Sequence, residues 1–314
     1  MAVLLATMKG ITAGPVAHWR DALLALDPSL DTRDAEGAGD PAEIEAVVMW
    51  GAQDLAALRR YPNLRLIVSM GAGVDHLLRP PGPPPGVPVA RLVDARLTQG
   101  MTEWVLLNVL RFHRQDPDYR ALQAARVWEE LPAPETAARR IGLLGLGEIG
   151  GAAARALLAL GFPVMGWSRR PKGVPGVETF HGAAGLDAML ARADILVCLL
   201  PLTPETRGVL NARTLGLLPR GAYLLNAGRG GHAVQEDVLA ALDSGRLAGA
   251  ALDVFEPEPL PADHPFWGHP KVVMTPHAAS ITIPSSAAPQ VVENLRRVRA
   301  GQPPINLVDL SAGY

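Results

Sequence analysis

Three side chains in the second half of the chain could together perform acid–base chemistry on a carbonyl compound. Arg229, Glu258 and His277 each stand just beyond an apolar, strand-like run, where α/β proteins build their sites. A carboxylate can hold and protonate a histidine that donates to a carbonyl oxygen, while an arginine binds the substrate and polarises that carbonyl. Singly, the three could be a turn cap, a loop acid and a strand-end histidine. Together they favour a hydride-transfer site.

A glycine-rich turn lies earlier in the chain. Its members, in the pattern G-x-G-x-x-G, are Gly145, Leu146, Gly147, Glu148, Ile149 and Gly150. The turn follows a strand-like run at 141–145, opens a helical run at 148–160, and is followed by a second strand-like run at 163–167. In that context the glycines permit a tight turn and close approach of a pyrophosphate, which the helix N-terminus attracts. The sequence therefore predicts a βαβ dinucleotide-binding unit rather than an ordinary loop.

The end of the second strand of this unit indicates which dinucleotide is preferred. An NAD-preferring site usually places Asp or Glu there, bonded to the ribose 2′-OH, but this chain has Ser168, Arg169 and Arg170. A hydroxyl and two guanidinium groups can bind a 2′-phosphate, and no carboxylate would repel it. The pattern favours NADP(H), with NAD(H) as the alternative. Exposed loop charges would also explain the two arginines.

Alternating strand-like and helical runs organise the remainder of the chain. Before residue 95, strand-like runs lie at 2–8, 46–50, 64–70 and 87–92, and helical runs near His18–Leu26 and Asp54–Tyr61. Later strand-like runs lie at 193–200, 221–227, 249–254 and 271–276. A long helical pattern covers 99–128, and another covers Ala287–Ala300, where Pro289 favours a late start or a kink. The alternation predicts an α/β fold with two Rossmann-like, doubly wound parallel sheets.

Composition excludes several classes of protein. The 314 residues predict two domains at about 150 residues each, and 29 basic against 31 acidic residues leave no positive excess for nucleic acid. The eight histidines contain no H-x-x-x-H pair, so we expect no metal site. Cys198 lies in an apolar run and predicts a buried, inert thiol. Charged residues, Gly or Pro interrupt every long apolar stretch, which predicts a cytoplasmic protein with no membrane partner.

The chemical residues lie in segments that resemble the D-isomer-specific 2-hydroxyacid dehydrogenase family. These segments are NAGRG at 226–230, LDVFEPEPLP at 252–261 and TPHAAS at 275–280, all downstream of GLGEIG. Further segments look like the glyoxylate/hydroxypyruvate reductase A type within that family. They are GAGVDHLL at 71–78, WSRR at 167–170, LPLTPETRGVLN at 200–211 and PFWGHP at 265–270.

The resemblance implies a role for each residue at a matching position. Arg229 would bind the substrate and polarise its carbonyl, His277 would be the general acid/base, and Glu258 its partner. The implied substrate contacts are Trp50, Ala72, Gly73 and Val74, the last three through backbone N–H groups. The implied cofactor contacts beyond those already named are Pro201, Thr206, Ala227, Gly228 and Asp253, with Asp253 on the nicotinamide carboxamide. Each of these residues also has a purely structural explanation. Trp50 could be a core residue, the 200–206 segment could be a plain turn, and Asp253 could cap a loop.

The resemblance also implies a domain arrangement and an activity. A discontinuous substrate domain, 1–95 plus 280–314, would flank a cofactor domain at 96–279, with the active site in the cleft between them. The helix near 99–128 would lie at the hinge and at a homodimer interface. The implied reaction is NADPH-dependent reduction of a small 2-oxo acid such as glyoxylate or hydroxypyruvate.

Two other functions fit the same pattern. One is a dehydrogenase for a bulkier 2-oxo acid, and the other is a non-catalytic, dinucleotide-sensing scaffold. Retention of Arg229, Glu258 and His277 together argues against the scaffold, which needs none of them.

Overall fold

The computed structural model describes residues 2–7, 16–51 and 55–310. Two residues of the elements expected from sequence, Met8 and Asp54, lie outside these ranges. The strands within them are β1 Ala2–Thr7, β2 Asp31–Asp34, β3 Ile44–Trp50, β4 Leu66–Ser69, β5 Val89–Ala90, β6 Ile141–Leu144, β7 Val164–Ser168, β8 Glu178–His181, β9 Ile195–Cys198, β10 Ala222–Asn226, β11 Leu247–Leu252 and β12 Val272–Met274. The α-helices are α1 Val16–Leu26, α2 Asp75–Leu78, α3 Ala95–His113, α4 Asp116–Ala125, α5 Glu148–Ala159, α6 Gly182–Leu190, α7 Ala212–Leu217, α8 Gln235–Asp243 and α9 Pro284–Arg299. Short 3₁₀ helices lie at Pro41–Glu43, Leu55–Arg60, Thr136–Ala138, Gly230–His232 and Pro265–Gly268.

The chain divides into two compact units. Unit 1 comprises Met1–Leu97 with Ile281–Tyr314, and unit 2 comprises Thr98–Ser280. Each unit contains one sheet whose strand pairs are parallel throughout the described residues. The predicted α/β fold with two doubly wound parallel sheets is therefore confirmed.

Unit 1 is built on a five-stranded sheet in the order β2-β1-β3-β4-β5. Its central strands are near-continuous apolar runs, because a parallel sheet is covered on both faces. One face packs on α1 and α9, through residues such as Trp19 and Leu295, both fully buried. The other face packs on the 3₁₀ helix at Leu55–Arg60 and on Tyr61.

Unit 2 is built on a seven-stranded sheet in the order β12-β11-β10-β9-β6-β7-β8. The chain runs from β6 outward to β7 and β8, then returns to β9 on the other side of β6. That reversal is a topological switch point, where doubly wound sheets bind their ligands beyond the carboxyl ends of the strands. Leu144 is in register with both Trp167 and Cys198, so the strand ends around the reversal lie at one edge.

The predicted βαβ unit is confirmed as β6, α5 and β7, within one residue of the expected bounds. The continuous helix expected over 99–128 is wrong. The structure has α3 and α4 instead, separated at Arg114 and Gln115, with Gln115 in the left-handed region at φ +58°. Pro117 supplies the physical reason, because a proline inside a continuous helix lacks the N–H donor and clashes with the carbonyl four residues earlier.

Several further differences from the sequence interpretation concern edges and ends. The strands β2 and β8 were not expected, because as sheet-edge strands they carry polar, partly exposed residues without an apolar pattern. Helix α9 begins at Pro284, before the expected start, and contains Pro289. The buried Cys198 is confirmed, and burial raises the pKa of its thiol to about 12, which makes it a poor nucleophile.

Candidate active site

The three candidate catalytic residues follow three neighbouring strands of unit 2. Arg229 follows β10, Glu258 follows β11 and His277 follows β12, and these strands are adjacent in the sheet. Parallel strands place their carboxyl ends at the same edge. The order of the strands therefore brings together residues that are 29 and 19 positions apart in the chain.

His277 and Glu258 form a direct pair. The distance between His277 Nδ1 and Glu258 Oε2 is 2.8 Å, and the two side chains are 32% and 35% exposed. An ionised carboxylate only accepts hydrogen bonds, so Nδ1 carries the proton of this bond. The imidazole is thereby held in one orientation, with Nε2 as the nitrogen available for proton transfer.

The charge state of Glu258 results from opposing effects. Burial by itself raises the pKa of the carboxyl group, because the charged form loses solvation. Hydrogen bonds from His277 and from the Phe255 N–H, together with the positive charges of His277 and Arg229, outweigh burial and hold the pKa below its usual range. Glu258 is therefore a carboxylate at neutral pH, and the charge of Arg229 acts on the His277–Glu258 pair.

Hydrogen bonds to Asp253 hold the turn that carries His277. His277 has a left-handed backbone, with φ +53°, which is uncommon for a residue other than glycine. Asp253 Oδ1 accepts hydrogen bonds from Thr275 Oγ1, Ala278 N and Ala279 N, while the Asp253 carbonyl accepts from the His277 N–H at 2.7 Å. Asp253 thus encloses the turn on both sides of His277. Its contact with a nicotinamide carboxamide stays a prediction.

A tryptophan on α3 extends this hydrogen-bond network. Trp104 Nε1 donates to Thr275 Oγ1 at 3.0 Å, and the same hydroxyl donates to Asp253. Trp104 is only 7% exposed, so both its ring and its N–H are committed to the interior of unit 2. Sequence reasoning missed this role, because the apolar pattern of the helix accounts for a tryptophan by core packing alone.

The turn that carries Arg229 is fixed through its backbone. The Arg229 carbonyl accepts from Asn226 Nδ2 at 3.1 Å, and its N–H donates to His232 Nδ1 at 3.0 Å. Gly230 fits closely against the next strand end, since a Cβ there would lie 2.0 Å from the Phe255 backbone. The guanidinium itself is half-buried and donates to the Gly228 carbonyl at 2.7 Å.

The glycine turn has the shape that a dinucleotide needs. Gly145 has φ +100°, which opens the turn, and a Cβ on Gly150 would lie 1.9 Å from the Gly145 carbonyl oxygen. Gly147 is the N-cap of α5, and a Cβ there would meet no atom within 4 Å. Backbone packing thus explains Gly145 and Gly150, whereas Gly147 leaves room beside a helix N-terminus for a diphosphate. The exposed Glu148 and half-buried Ile149 form the first turn of this helix.

The end of β7 carries the residues expected to recognise the ribose. Ser168 is half-buried and its hydroxyl donates to the Arg170 carbonyl at 2.8 Å. Arg169 and Arg170 are both exposed. The pKa of Glu205 is lowered, first by a hydrogen bond from Thr203 and further by the charge of Arg169. Arg169 therefore lies in electrostatic reach of the loop that contains Thr206.

That loop leaves the sheet beside the glycine turn. A Cβ on Gly145 would lie 2.9 Å from the Leu199 carbonyl oxygen, just before Pro201. The Thr206 hydroxyl closes the loop by donating to the Pro201 carbonyl at 2.7 Å and accepting from the Thr203 N–H at 2.8 Å. The local hydrogen bonds of Thr206 are those of a turn, so its contact with a cofactor stays a prediction.

Two further predicted cofactor contacts lie between the loop and the arginine turn. Ala227 is buried, and its N–H donates to the Cys198 carbonyl at the end of β9. Gly228 is also buried, and a Cβ there would lie 2.8 Å from His232 Nδ1 and 3.0 Å from the Leu200 carbonyl oxygen. The His232 ring and the Leu200 carbonyl therefore leave no room for a side chain at Gly228, whereas the backbone bond of Ala227 does not depend on its side chain.

The predicted substrate contacts in unit 1 lie around the end of β4. Trp50 ends β3, is half-buried, and packs edge-on against His76 at 4.7 Å between ring centroids. Its ring covers Gly71, where a Cβ would lie 2.3 Å from it. The half-buried Ala72 and Gly73 and the buried Val74 follow, with the Gly73 carbonyl accepting from Ser69 Oγ at 3.1 Å. The structure thus gives Trp50 a packing role, and substrate contact by these residues stays a prediction.

Metal-ligand clusters and membrane-spanning helices are absent from the residues that the structure describes. No group of three or more His, Cys, Asp or Glu side chains that could hold a metal ion occurs among residues 2–7, 16–51 and 55–310. Within the same part of the chain, no helix combines the length and apolar character that crossing a bilayer requires.

The glycine turn at a topological switch point and the paired histidine and carboxylate fit an oxidoreductase that uses NAD(P), and the comparisons with known proteins show that class. The chain belongs to the D-isomer specific 2-hydroxyacid dehydrogenase family, because residues 106–279 match the model of that family's NAD binding domain. The family assignment expected from the motifs is therefore confirmed.

Similarity to known relatives extends over nearly the whole chain. Glyoxylate/hydroxypyruvate reductase A of Yersinia enterocolitica is 40% identical over 303 residues, which cover 95% of this chain and 96% of that protein. The NADPH-dependent glyoxylate/hydroxypyruvate reductase of Sinorhizobium meliloti, solved with NADP and sulfate, superposes with a TM-score of 0.91 at 41% identity, covering 100% and 99% of the two chains. A D-isomer specific 2-hydroxyacid dehydrogenase from Xanthobacter autotrophicus, solved with NADPH and MES, gives 0.92 at 45% identity, covering 99% of both. These matches confirm the resemblance to the reductase A type.

Proposed function

We propose that this protein reduces a small 2-oxo acid of the glyoxylate or hydroxypyruvate type to the 2-hydroxy acid, with NADPH as the reductant. The observation that carries the proposal is the 2.8 Å pair of His277 and Glu258, which lies within electrostatic reach of Arg229 at the ends of adjacent strands. A scaffold protein has no need of such a set. The name of the Yersinia relative, and the name and bound NADP of the Sinorhizobium relative, support the same reaction.

The residues of unit 2 divide the chemistry between them. NADPH, when bound, supplies the hydride. His277 donates a proton from Nε2 to the carbonyl oxygen as the alcohol forms, and Glu258 stabilises the imidazolium beforehand. Arg229 binds the substrate carboxylate and polarises the carbonyl, for which its five N–H donors in a planar fork are suited.

The preference for NADPH follows from the end of β7. A 2′-phosphate carries a negative charge, and Arg169 and Arg170 are exposed guanidinium groups beside the half-buried hydroxyl of Ser168. The glycine turn receives the diphosphate through Gly147 and the first residues of α5, Glu148 to Gly150. No carboxylate occurs between Ser168 and Lys172 to oppose the phosphate.

Three further parts of the proposal concern substrate contacts and assembly. The backbone N–H groups of Ala72, Gly73 and Val74 bind the substrate carboxylate, and Trp50 lines the site. A homodimer forms through α3, where Leu107 is 55% exposed and Leu110 is 36% exposed. Sedimentation at micromolar concentration tests the dimer, and a mass equal to one chain would contradict it. A cytoplasmic location stays a prediction.

A spectrophotometric panel at 340 nm tests the function. Purified protein is offered glyoxylate, hydroxypyruvate and a branched 2-oxo acid, each with NADPH and with NADH. We expect the two small acids with NADPH to give the highest kcat/KM. A preference for the branched acid would indicate the dehydrogenase for bulkier substrates, and NADPH binding without turnover of any acid would indicate the sensing scaffold.

A further inference from the structure

His232 is a buried side chain that the chemistry above does not use. It ends the 3₁₀ turn that begins directly after Arg229, and it is 0% exposed. Its Nδ1 accepts the N–H of Arg229 at 3.0 Å, and its Nε2 lies 3.2 Å from the Pro201 carbonyl oxygen. A backbone N–H only donates and a carbonyl only accepts, so these two bonds require the Nε2–H tautomer.

The two bonds of His232 end on two different functional segments. The Nδ1 bond holds the turn that presents Arg229, whose carbonyl is held in turn by Asn226. The Nε2 bond ends on Pro201, whose carbonyl also accepts from the Thr206 hydroxyl that closes its loop. One imidazole therefore joins the arginine turn to the loop beside the glycine turn.

The surroundings of His232 leave it little freedom. A Cβ on Gly228 would lie 2.8 Å from Nδ1, so only glycine at that position accommodates the ring. The Leu210 N–H donates to the His232 carbonyl at 2.8 Å, and the Gly208 N–H donates to the Gly231 carbonyl at 2.9 Å. Backbone and ring are thus both fixed, which is the condition for transmitting position from one segment to the other.

We propose that His232 is a positioning residue with two separable functions. Through Nδ1 it sets the Arg229 turn for the 2-oxo acid, and through Nε2–H it sets the Pro201–Thr206 loop for NADPH. The inference rests on the proposed function, which assigns Arg229 to the substrate, and on the expectation from the family resemblance that the Pro201–Thr206 loop lines the cofactor.

Two amide substitutions separate the two functions. An asparagine amide reaches about as far as Nδ1, so His232→Asn can still accept from the Arg229 N–H but loses the bond to Pro201. A glutamine amide reaches about as far as Nε2, so His232→Gln can still donate to Pro201 but loses the bond to Arg229. Each lost hydrogen bond corresponds to roughly a five- to tenfold change in the constant it controls.

The expected result is a crossed pattern. His232→Asn should raise the NADPH Kd, measured by nicotinamide fluorescence, by about five- to tenfold, with the KM for glyoxylate within twofold of wild type. His232→Gln should raise the KM for glyoxylate at saturating NADPH by a similar factor and leave the NADPH Kd within twofold. His113, another buried histidine of unit 2, is the matched control. His113→Asn and His113→Gln should change neither constant.

Other outcomes would overturn the proposal. A parallel loss of both constants in the two His232 variants would give the histidine a merely structural role, and two variants within twofold of wild type in both constants would give it none. Nitrogen-15 NMR of the wild-type protein does not depend on how the variants fold. It should show His232 protonated at Nε2 and not at Nδ1, and the opposite tautomer would contradict both bonds. A wild-type protein without turnover contradicts the proposed function instead, while the Kd and the tautomer still test the cofactor function of His232.

Discussion

The carboxyl edge of the unit 2 sheet is built in two different ways. Around β6 and β7 the site is made of backbone and small residues, with Gly147 at the N-cap of α5 and Gly145 in a positive-φ turn. Around β10, β11 and β12 it is made of ionisable side chains held by other polar side chains. The shape of the first half depends on backbone conformations that glycine permits. The geometry of the second half depends on hydrogen bonds that orient each functional group.

The second half contains buried polar side chains. Asn226, His232 and Asp253 are each no more than 1% exposed, and burying a polar group is unfavourable unless it is hydrogen-bonded. Each of them bonds to the turn that carries Arg229 or His277. We infer that the desolvation of these groups is tolerated because it fixes the orientation of the reacting side chains.

Removing the imidazole of His277 should produce the largest change in activity, and it should leave cofactor binding unchanged. His277→Ala should lower kcat for glyoxylate by roughly 10²–10⁴, the usual contribution of a general acid, and leave the NADPH Kd within twofold. Steady-state kinetics and a fluorescence titration measure the two quantities. His18→Ala, at an exposed histidine of unit 1, should change neither. A residual kcat near that of wild type would remove His277 from the proton transfer.

A change of charge at the end of β7 should alter the cofactor preference and leave the catalytic step unchanged. Ser168→Asp combined with Arg169→Ala should reduce the preference for NADPH over NADH by roughly 10- to 100-fold, because the new carboxylate repels a 2′-phosphate and accepts from a 2′-OH. The kcat at saturating NADH should stay close to that of the parent protein. Comparing kcat/KM for the two cofactors measures the effect. A wild-type protein that already prefers NADH would contradict the arginine assignment.

Two glycines in the same turn should respond differently to the same methyl group. Gly150→Ala would place Cβ 1.9 Å from the Gly145 carbonyl, so we expect a loss of about 1–3 kcal/mol of stability from overpacking. Gly147→Ala meets no atom within 4 Å and loses only the N-cap preference for glycine over alanine, so its Tm should fall less than that of Gly150→Ala while its NADPH Kd rises. Thermal melts and NADPH titrations separate the two. Wild-type NADPH affinity in Gly147→Ala would show that the diphosphate does not bind there.

The smallest expected effect is a shift in pH dependence. The depressed pKa of Glu258 keeps it ionised at neutral pH, and an ionised carboxylate stabilises the imidazolium of His277, whereas an amide does not. Glu258→Gln should therefore move the alkaline limb of the kcat/KM profile to lower pH. An unchanged limb with an undiminished rate would remove Glu258 from the mechanism.

The same pKa has a consequence for stability. A carboxyl group whose pKa is depressed on folding stabilises the folded state above its unfolded pKa of about 4, and this contribution is lost as pH falls through the folded value. The difference in Tm between wild type and Glu258→Gln should therefore shrink on acidification below that range.

The two halves of the sheet edge also differ in how far the sequence predicts them. The βαβ unit and its glycines lie within about thirty consecutive residues, so periodicity and spacing are sufficient to place β6, α5 and β7. The hydrogen bonds that hold the turns around β10, β11 and β12 join residues far apart in the chain, such as Trp104 and Thr275. No local pattern reports such a contact, and the apolar helix alone accounts for the tryptophan.

One error and one omission in the sequence interpretation have local physical causes. Pro117 signals the end of α3, but the apolar pattern continues past it and favours a single helix. His232 is three residues beyond Arg229 in a 3₁₀ turn of three residues, which is too short for any periodicity. Its spacing from the arginine was the only signal in the sequence that could have identified it.

The central claim is that substrate chemistry and cofactor binding are held by separate halves of one sheet edge, and Arg229→Lys tests it most directly. An ammonium group keeps the charge but cannot form two parallel bonds to a carboxylate while a third N–H faces the carbonyl. We predict that kcat/KM for glyoxylate falls by about 10², comparable to the loss of one donor to a developing oxyanion, and that the NADPH Kd changes by less than twofold. Loss of NADPH binding with turnover intact at saturating cofactor would contradict the claim.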